Sequence, residues 1–331
     1  MTLLYRYCCA AIAASVLPLA AHAQTAWKPE RNVEILVGAA PGAGTDKTAR
    51  MVQKLWQQEK TLDVPSVVVN RPGGGGAVSW AYLAQHQGDP NILLVTSYNI
   101  VTNHITGKSK LTYTDFTPIA LLLSEYIAYT VSAESKYKTL QDVIAALKKD
   151  PRAVSVGLSS SLGGANHIAL GLAMKAAGID VNKMRVVVFN SGGESMTALL
   201  GGHVDMMIAS GSAISAQTAG KVLRPLAFAA PKRLGGPFAP VPTLTELGYP
   251  VVADNWRIVI APKGLTPAQT EFWDSAFRAL AGSEEWKQEL ESYHLANNYL
   301  DSKDTRRYLD AQYQEVRDML AELGLAKPAP K

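Results

Sequence analysis

The chain has 331 residues, 32 Lys+Arg against 28 Asp+Glu and a formal charge of +4, with 47% of its residues hydrophobic. So small a balance, with charges mixed along the chain and no basic run interleaved with aromatics, argues against a nucleic-acid surface. Its only cysteines, Cys8 and Cys9, sit at the extreme N-terminus.

That terminus carries one basic residue, Arg6, then an apolar run from Cys8 to Ala21, then Ala21-His22-Ala23 before Gln24. The pattern reads as a secretory signal over residues 1–23, cleaved after Ala23, and marks the protein as exported. The apolar run falls short of the roughly 20 residues a membrane span needs. Removing it leaves no cysteine, so no disulfide, thiol nucleophile or thiolate metal site is expected in the mature chain. A remainder of roughly 300 residues is large enough for two domains with ordinary cores.

Val- and Ile-rich runs then alternate with Gly/Ser/Asn turns and Ala/Leu-rich helical patterns, the rhythm of an α/β fold. Glu34 to Val37 reads as a strand, followed by Gly38-Ala-Ala-Pro-Gly-Ala-Gly-Thr-Asp46 and a helix with Ala49, Val52, Leu55 and Trp56 on one face. Asp46 or Thr45 is its expected cap, and Arg50 the i,i+4 partner of Asp46. Such a loop builds an anion site from backbone, because glycines allow close approach and helix N-terminal N–H groups point at a negative charge.

Ser66 to Asn70 is the next strand, then Arg71-Pro-Gly-Gly-Gly-Gly76, a helix to Gln85 and a strand at Ile92 to Thr96. A looser region precedes strands at Phe116 to Leu123 and Tyr126 to Val131, and Thr139 caps a helix to Lys149. The opening pattern then recurs: strand Ala153 to Gly157, loop Leu158 to Ala165, and a helix from Asn166 that Gly178 ends. Strands at Arg185 to Phe189, Val204 to Ala209 and Leu223 to Ala229 follow, then a proline-rich return path, a strand at Arg257 to Ile260 and two C-terminal helices.

Known catalytic and nucleotide motifs fail here. Gly42-Ala-Gly44 lacks the third glycine of a dinucleotide fingerprint, and Gly107-Lys-Ser109 lacks the first glycine of a P-loop. Gly157-Leu-Ser159-Ser-Ser161 lacks the closing glycine of a hydrolase elbow, and Ser135-Lys-Tyr-Lys138 has no Lys-Thr-Gly partner. His86, His104, His167, His203 and His294 show no paired-ligand spacing, so neither metal nor cofactor is expected. His167, at a helix start behind a glycine loop, is the histidine placed to shape a site.

Taken in order, Trp27-Lys-Pro29, Pro41-Gly-Ala-Gly-Thr-Asp46 with Ala49-Arg50, Val68-Val-Asn70-Arg-Pro-Gly-Gly-Gly-Gly76 and Asp115-Phe-Thr-Pro-Ile-Ala120 resemble the substrate-binding proteins of tripartite tricarboxylate transporters, the Bug receptors. Gly157 to His167, Gly201-Gly-His-Val-Asp205, and Trp256 before Ala261-Pro-Lys-Gly-Leu-Thr-Pro267 extend the likeness along nearly the whole mature chain. The resemblance implies a type II-like periplasmic binding protein fold: two α/β lobes, each a mixed sheet flanked by helices, joined by crossover strands. The expected lobes are residues 24–124 with 230–331, and residues 125–229.

It also implies a monomeric receptor, not an enzyme, that captures a small di- or tricarboxylate and delivers it to a membrane permease. The carboxylate would be gripped between Pro41, Gly42, Ala43, Gly44, Thr45 and Asp46 of one lobe and Ser159, Ser160, Ser161, Leu162, Gly163, Gly164, Ala165 and Asn166 of the other. Tyr98, Asn190, Gly193 and Asp205 are candidates for the rest of the wall, with Asn99, Ser191, Gly192, Asn255 and Trp256 near it. Gly38-Ala-Ala and Gly88-Asp-Pro-Asn91 depart from the family's usual residues, at positions that bear on ligand choice. The rival reading is an exported serine hydrolase or lyase using Ser159 to Ser161.

Overall fold

The computed structural model describes residues 27–159, 162–189 and 191–327. The signal-like segment, with its cleavage point, and Ser160, Ser161 and Asn190 of the expected site lie outside the described residues.

Two five-stranded mixed sheets carry the fold. The first contains β1 (Val33–Val37), β2 (Ser66–Asn70), β3 (Ile92–Ser97), β4 (Thr117–Leu123) and β10 (Arg257–Ala261), in the order β2-β1-β3-β10-β4. The second contains β5 (Ile127–Ser132), β6 (Ser155–Ser159), β7 (Arg185–Phe189), β8 (Met206–Ser210) and β9 (Leu223–Phe228), in the order β7-β6-β8-β5-β9. Each sheet has a parallel trio with one antiparallel strand beside it: β10 runs against β3 and β4, and β5 against β8 and β9. β1 and β6 therefore hold equivalent central places, and their carboxyl ends open onto the two glycine-rich loops. In open α/β sheets that end is where ligands bind.

Helices cover both faces because strands buried on two sides need two apolar coats. On one face of the first sheet, α1 (Gly44–Glu59), α8 (Pro267–Gly282) and α9 (Glu284–Ser292) bury Trp56, Trp273, Phe277 and Trp286 against Ile35 and Val37. On the other, α2 (Ala77–Ala84), α3 (Asn99–Ile105) and α10 (Ser302–Glu322) pack Trp80, Leu309, Val316 and Leu320 against Leu36, Leu94 and Trp256. The second sheet is coated by α4 (Leu140–Lys149) and α5 (Ala165–Ala176) on one side, and by α6 (Gly192–Leu200) and α7 (Gly211–Ala219) on the other. Thr139 caps α4 with a reciprocal bond to Asp142, as its sequence suggests.

Three elements differ from the sequence expectation. The looser region after β3 contains α3, and α7 follows β8; both are short and lack a long apolar stripe. The C-terminal region has three helices rather than two, because Ser283 ends α8 and its side chain accepts from the Trp286 amide to start α9.

The sheets are joined near residues 123–127 and 254–257, where Tyr126 bridges Asp254, and the segment before α10 lies alongside, bridging Ser124 to Ala296 and Leu121 to Leu300. α10 packs against α5 of the second sheet, with Lys175 paired to Glu322 at 2.5 Å. No described helix is long and apolar enough to cross a membrane.

Candidate functional site between the two sheets

The first loop leaves β1 and enters α1 with Ala43 at the cap position, a residue with no side-chain acceptor. Asp46 is therefore not the cap; it stands at the third helical position and reaches back. Its carboxylate accepts from the Gly42 amide at 2.8 Å, the Asn70 side-chain amide at 2.9 Å and Arg50 Nε at 3.0 Å. Asn70 also donates to the Ala39 carbonyl at 3.0 Å, which ties the loop to the end of β2. Burial works to push the Asp46 carboxyl up, but the bonds from Arg50, Gly42 and Asn70 together hold it below the usual carboxylate range. Gly42 sits at φ +83°, a conformation that strongly favours glycine. Pro41, Gly42 and Gly44 are exposed, so the first amides of α1, which have no acceptor within the helix, are left open to a ligand.

The second loop repeats this device with other atoms. Gly163 sits at φ +80°, Gly164 is the cap residue, and His167 stands at the third helical position of α5. His167 Nδ1 accepts from the Gly163 amide at 3.0 Å, and Asn166 donates to Ser159 Oγ at 2.8 Å. Accepting requires the neutral ring, and burial supplies it by pushing the His167 pKa down to about 4. Leu162 is exposed; a Cβ on Gly163 would lie 3.2 Å from Leu320, with Thr106 and Leu325 just beyond, so this loop rests on α10 and the end of α3.

A cavity of about 300 Å³ opens between the sheets at their carboxyl ends, bordered by Gly44 and Lys47 of α1, Arg257 of β10, Glu125 of the crossover, and Ser210 and Ser212 at the start of α7. Arg257 and Glu125 are 6% and 8% exposed. Arg257 donates to Glu125 Oε2 at 3.0 Å and to the carbonyls of Asn255 and Trp256 at 2.8 and 3.2 Å, while its Nε has no partner among the described residues. Ser212 donates to Glu125 Oε1. None of these was singled out as a site residue from the sequence. The one local signal is Ser210, which ends β8 as Ser159 ends β6. A larger groove, about 860 Å³, runs along the edge strand β9 among Pro237, Pro240 and Pro242 and shares no residue with either loop; it lies away from the carboxyl ends where both loops open.

The expected wall residues divide. Tyr98 is buried against Trp256 with ring centroids 5.5 Å apart, and both belong to the core of the first lobe. Gly193 lies in the first turn of α6, its carbonyl accepting from Thr197. Asp205 precedes β8 and so lies at the amino end of its sheet, where it accepts from the amide and hydroxyl of Ser155 at 2.8 and 2.6 Å. The expectation that it lines the cleft fails, because a residue before a parallel strand sits a full strand length from the loops that follow it. Ser159 Oγ is bonded by Asn166 and no described histidine reaches it, and no group of described His, Cys, Asp or Glu is arranged to hold a metal.

Two mixed sheets whose carboxyl ends face one another across a cavity define a two-lobed solute-binding protein. A profile described as "Tripartite tricarboxylate transporter family receptor" matches residues 48–325, and the chain belongs to that family of solute-binding receptors rather than to an enzyme family. Protein BugT of Bordetella pertussis is 30% identical over 244 residues, covering 72% of this chain and 73% of its own. A UPF0065 protein of Cupriavidus necator is 28% identical over 319 residues, covering 96% and 94%. Among solved structures, a TctC solute-binding protein from Polaromonas without ligand has a TM-score of 0.76 at 24% identity, covering 89% of this chain and 99% of its own. An adipate complex from R. palustris has 0.76 at 23%, covering 90% and 99%. MatC from Rhodopseudomonas palustris with bound malate has 0.67 at 22%, covering 90% and 100%.

Proposed function

We propose that the protein is a periplasmic receptor, exported by a signal cleaved after Ala23, that captures a small di- or tricarboxylate between its lobes and hands it to the membrane permease of a tripartite tricarboxylate transporter. The observation that carries this reading is the matched pair of loops. Each follows a strand, turns on a positive-φ glycine and starts a helix whose third residue takes up that glycine's amide; Pro41, Gly42 and Gly44 of the first are exposed, while Gly163 and Gly164 of the second are buried. Helix N-terminal amides bind a carboxylate without needing a dedicated cation. The adipate and malate bound by the R. palustris relatives support a carboxylate as ligand. Residues 24–124 with 230–331, and residues 125–229, would act as monomeric jaws closing about the crossover strands, with Ser159 to Asn166 meeting Pro41 to Asp46 across the ligand.

Native mass spectrometry of the protein as purified tests this reading. A small carboxylate carried through purification and returned unchanged after incubation is the expected result. A chemically altered acid would favour the exported hydrolase or lyase instead.

A further inference from the structure

The cavity between the sheets has charged lining of an unusual kind for an anion receptor: a carboxylate in its wall. Three charged side chains border it, Lys47, Glu125 and Arg257. Arg257 spends three of its five N–H donors, two on the Asn255 and Trp256 carbonyls and one on Glu125, and its remaining donors, Nε and one on the nitrogen beside Gly44, have no partner among the described residues. Glu125 is not used up. A carboxylate offers about four lone-pair sites; Arg257 occupies one on Oε2 and Ser212 one on Oε1, leaving an acceptor on each oxygen beside the cavity. Lys47 is exposed at the rim and makes no ion pair with a described residue, and next to it lies the open N-terminus of α1 at Gly44. One end of the cavity is thus built for a carboxylate and the other for a hydrogen-bond donor.

We infer that Glu125 is a specificity-determining residue that selects a carboxylate carrying a hydroxyl or amino group, and disfavours the same acid without one. The inference rests on the carboxylate reading above. A ligand carboxylate at the α1 end meets Lys47 and the Gly44 and Thr45 amides, while its hydroxyl or ammonium donates to the spare lone pairs of Glu125. An unsubstituted chain would leave those acceptors desolvated without a partner, a loss that sites built to hydrogen-bond a substrate group convert into discrimination. A second carboxylate placed against Glu125 would be repelled. Ser212 acts with Arg257 as a positioning residue, since together they fix the direction in which the Glu125 oxygens face.

The test is calorimetric titration of the full mature chain with two matched series, succinate, malate and aspartate, and adipate and 2-aminoadipate, for the wild type and for Glu125→Gln. Within a series the carboxylates are constant and only the donor changes. The wild type is expected to bind the substituted acids at least tenfold more tightly than the plain acid of a series, and Glu125→Gln to reduce that preference most for the amino acids, which lose a charge partner. The wild-type comparison stands whether or not the variant folds. Plain acids bound as tightly as substituted ones would overturn the inference and leave the carboxylate reading intact, whereas no heat with any acid of either series would remove both.

Discussion

The two strand–helix loops solve one mechanical problem with opposite chemistry. Each must hold a positive-φ glycine amide at the entry to a helix, and each does so with an acceptor at the third helical position. The first loop uses a charged carboxylate, Asp46, whose charge would repel an anionic ligand were it not drawn back by Arg50, Gly42 and Asn70. The second uses a neutral imidazole, His167, which adds no charge but needs burial to stay neutral. The first jaw is therefore robust to acid and dependent on a network; the second is simple and acid-sensitive.

Breaking the network should have the largest effect. Asp46→Ala leaves the Gly42 and Asn70 amides without their charged acceptor, while the half-exposed Arg50 can turn to water, and is expected to cost about 3 kcal/mol, the order of two hydrogen bonds to a charged group. Urea denaturation would measure it; a loss below about 1 kcal/mol would mean that the loop does not need its brace.

Acid should separate the jaws next. The folded His167 titrates near 4 against 6.5 in the unfolded chain, so the unfolded state takes up its proton first as pH falls. Stability from this group is full above pH 6.5 and is lost between 6.5 and about 4, up to about 3 kcal/mol in all. Asp46, lowered from 3.8, keeps its contribution through that window and loses it only below. Melting curves across this range should show the slope in the wild type and its loss in His167→Gln. An unchanged slope in the variant would assign it to another group.

The glycines give the smallest and most discriminating pair. Gly42→Ala and Gly163→Ala impose the same left-handed backbone on alanine, costing about 1–2 kcal/mol each. A Cβ at 42 meets nothing within 4 Å, whereas one at 163 presses on Leu320 at 3.2 Å. Gly163→Ala should thus be the more destabilising of the two; equal melting temperatures would mean that the second loop is not packed against α10.

The sequence made the rhythm of this fold readable, since its buried parallel strands are short apolar runs and the loops after β1 and β6 are glycine-rich. The helices it concealed, α3 and α7, are stabilised by tertiary packing rather than by a visible apolar stripe. Asp205 misled because chemistry was read without strand direction: residues after a parallel strand reach the cleft, and Asp205 comes before one. Glu125, Ser212 and Arg257 were invisible for a different reason. They are separated by 87 and 132 positions, and only the crossover geometry brings one carboxylate between a hydroxyl and a guanidinium. Local pattern carries no trace of such a meeting.

The central claim is that a small carboxylate binds at the open start of α1, and Gly44 tests it most directly. A Cβ there would lie 2.5 Å from the Arg257 guanidinium, which Glu125 pins in place, so a larger side chain must intrude on the cavity. Calorimetry of Gly44→Val with the acid that binds the wild type, alongside circular dichroism to verify the fold, is predicted to show at least a tenfold loss of affinity, about 1.4 kcal/mol, in a folded protein. Undiminished affinity in that folded variant would contradict the account.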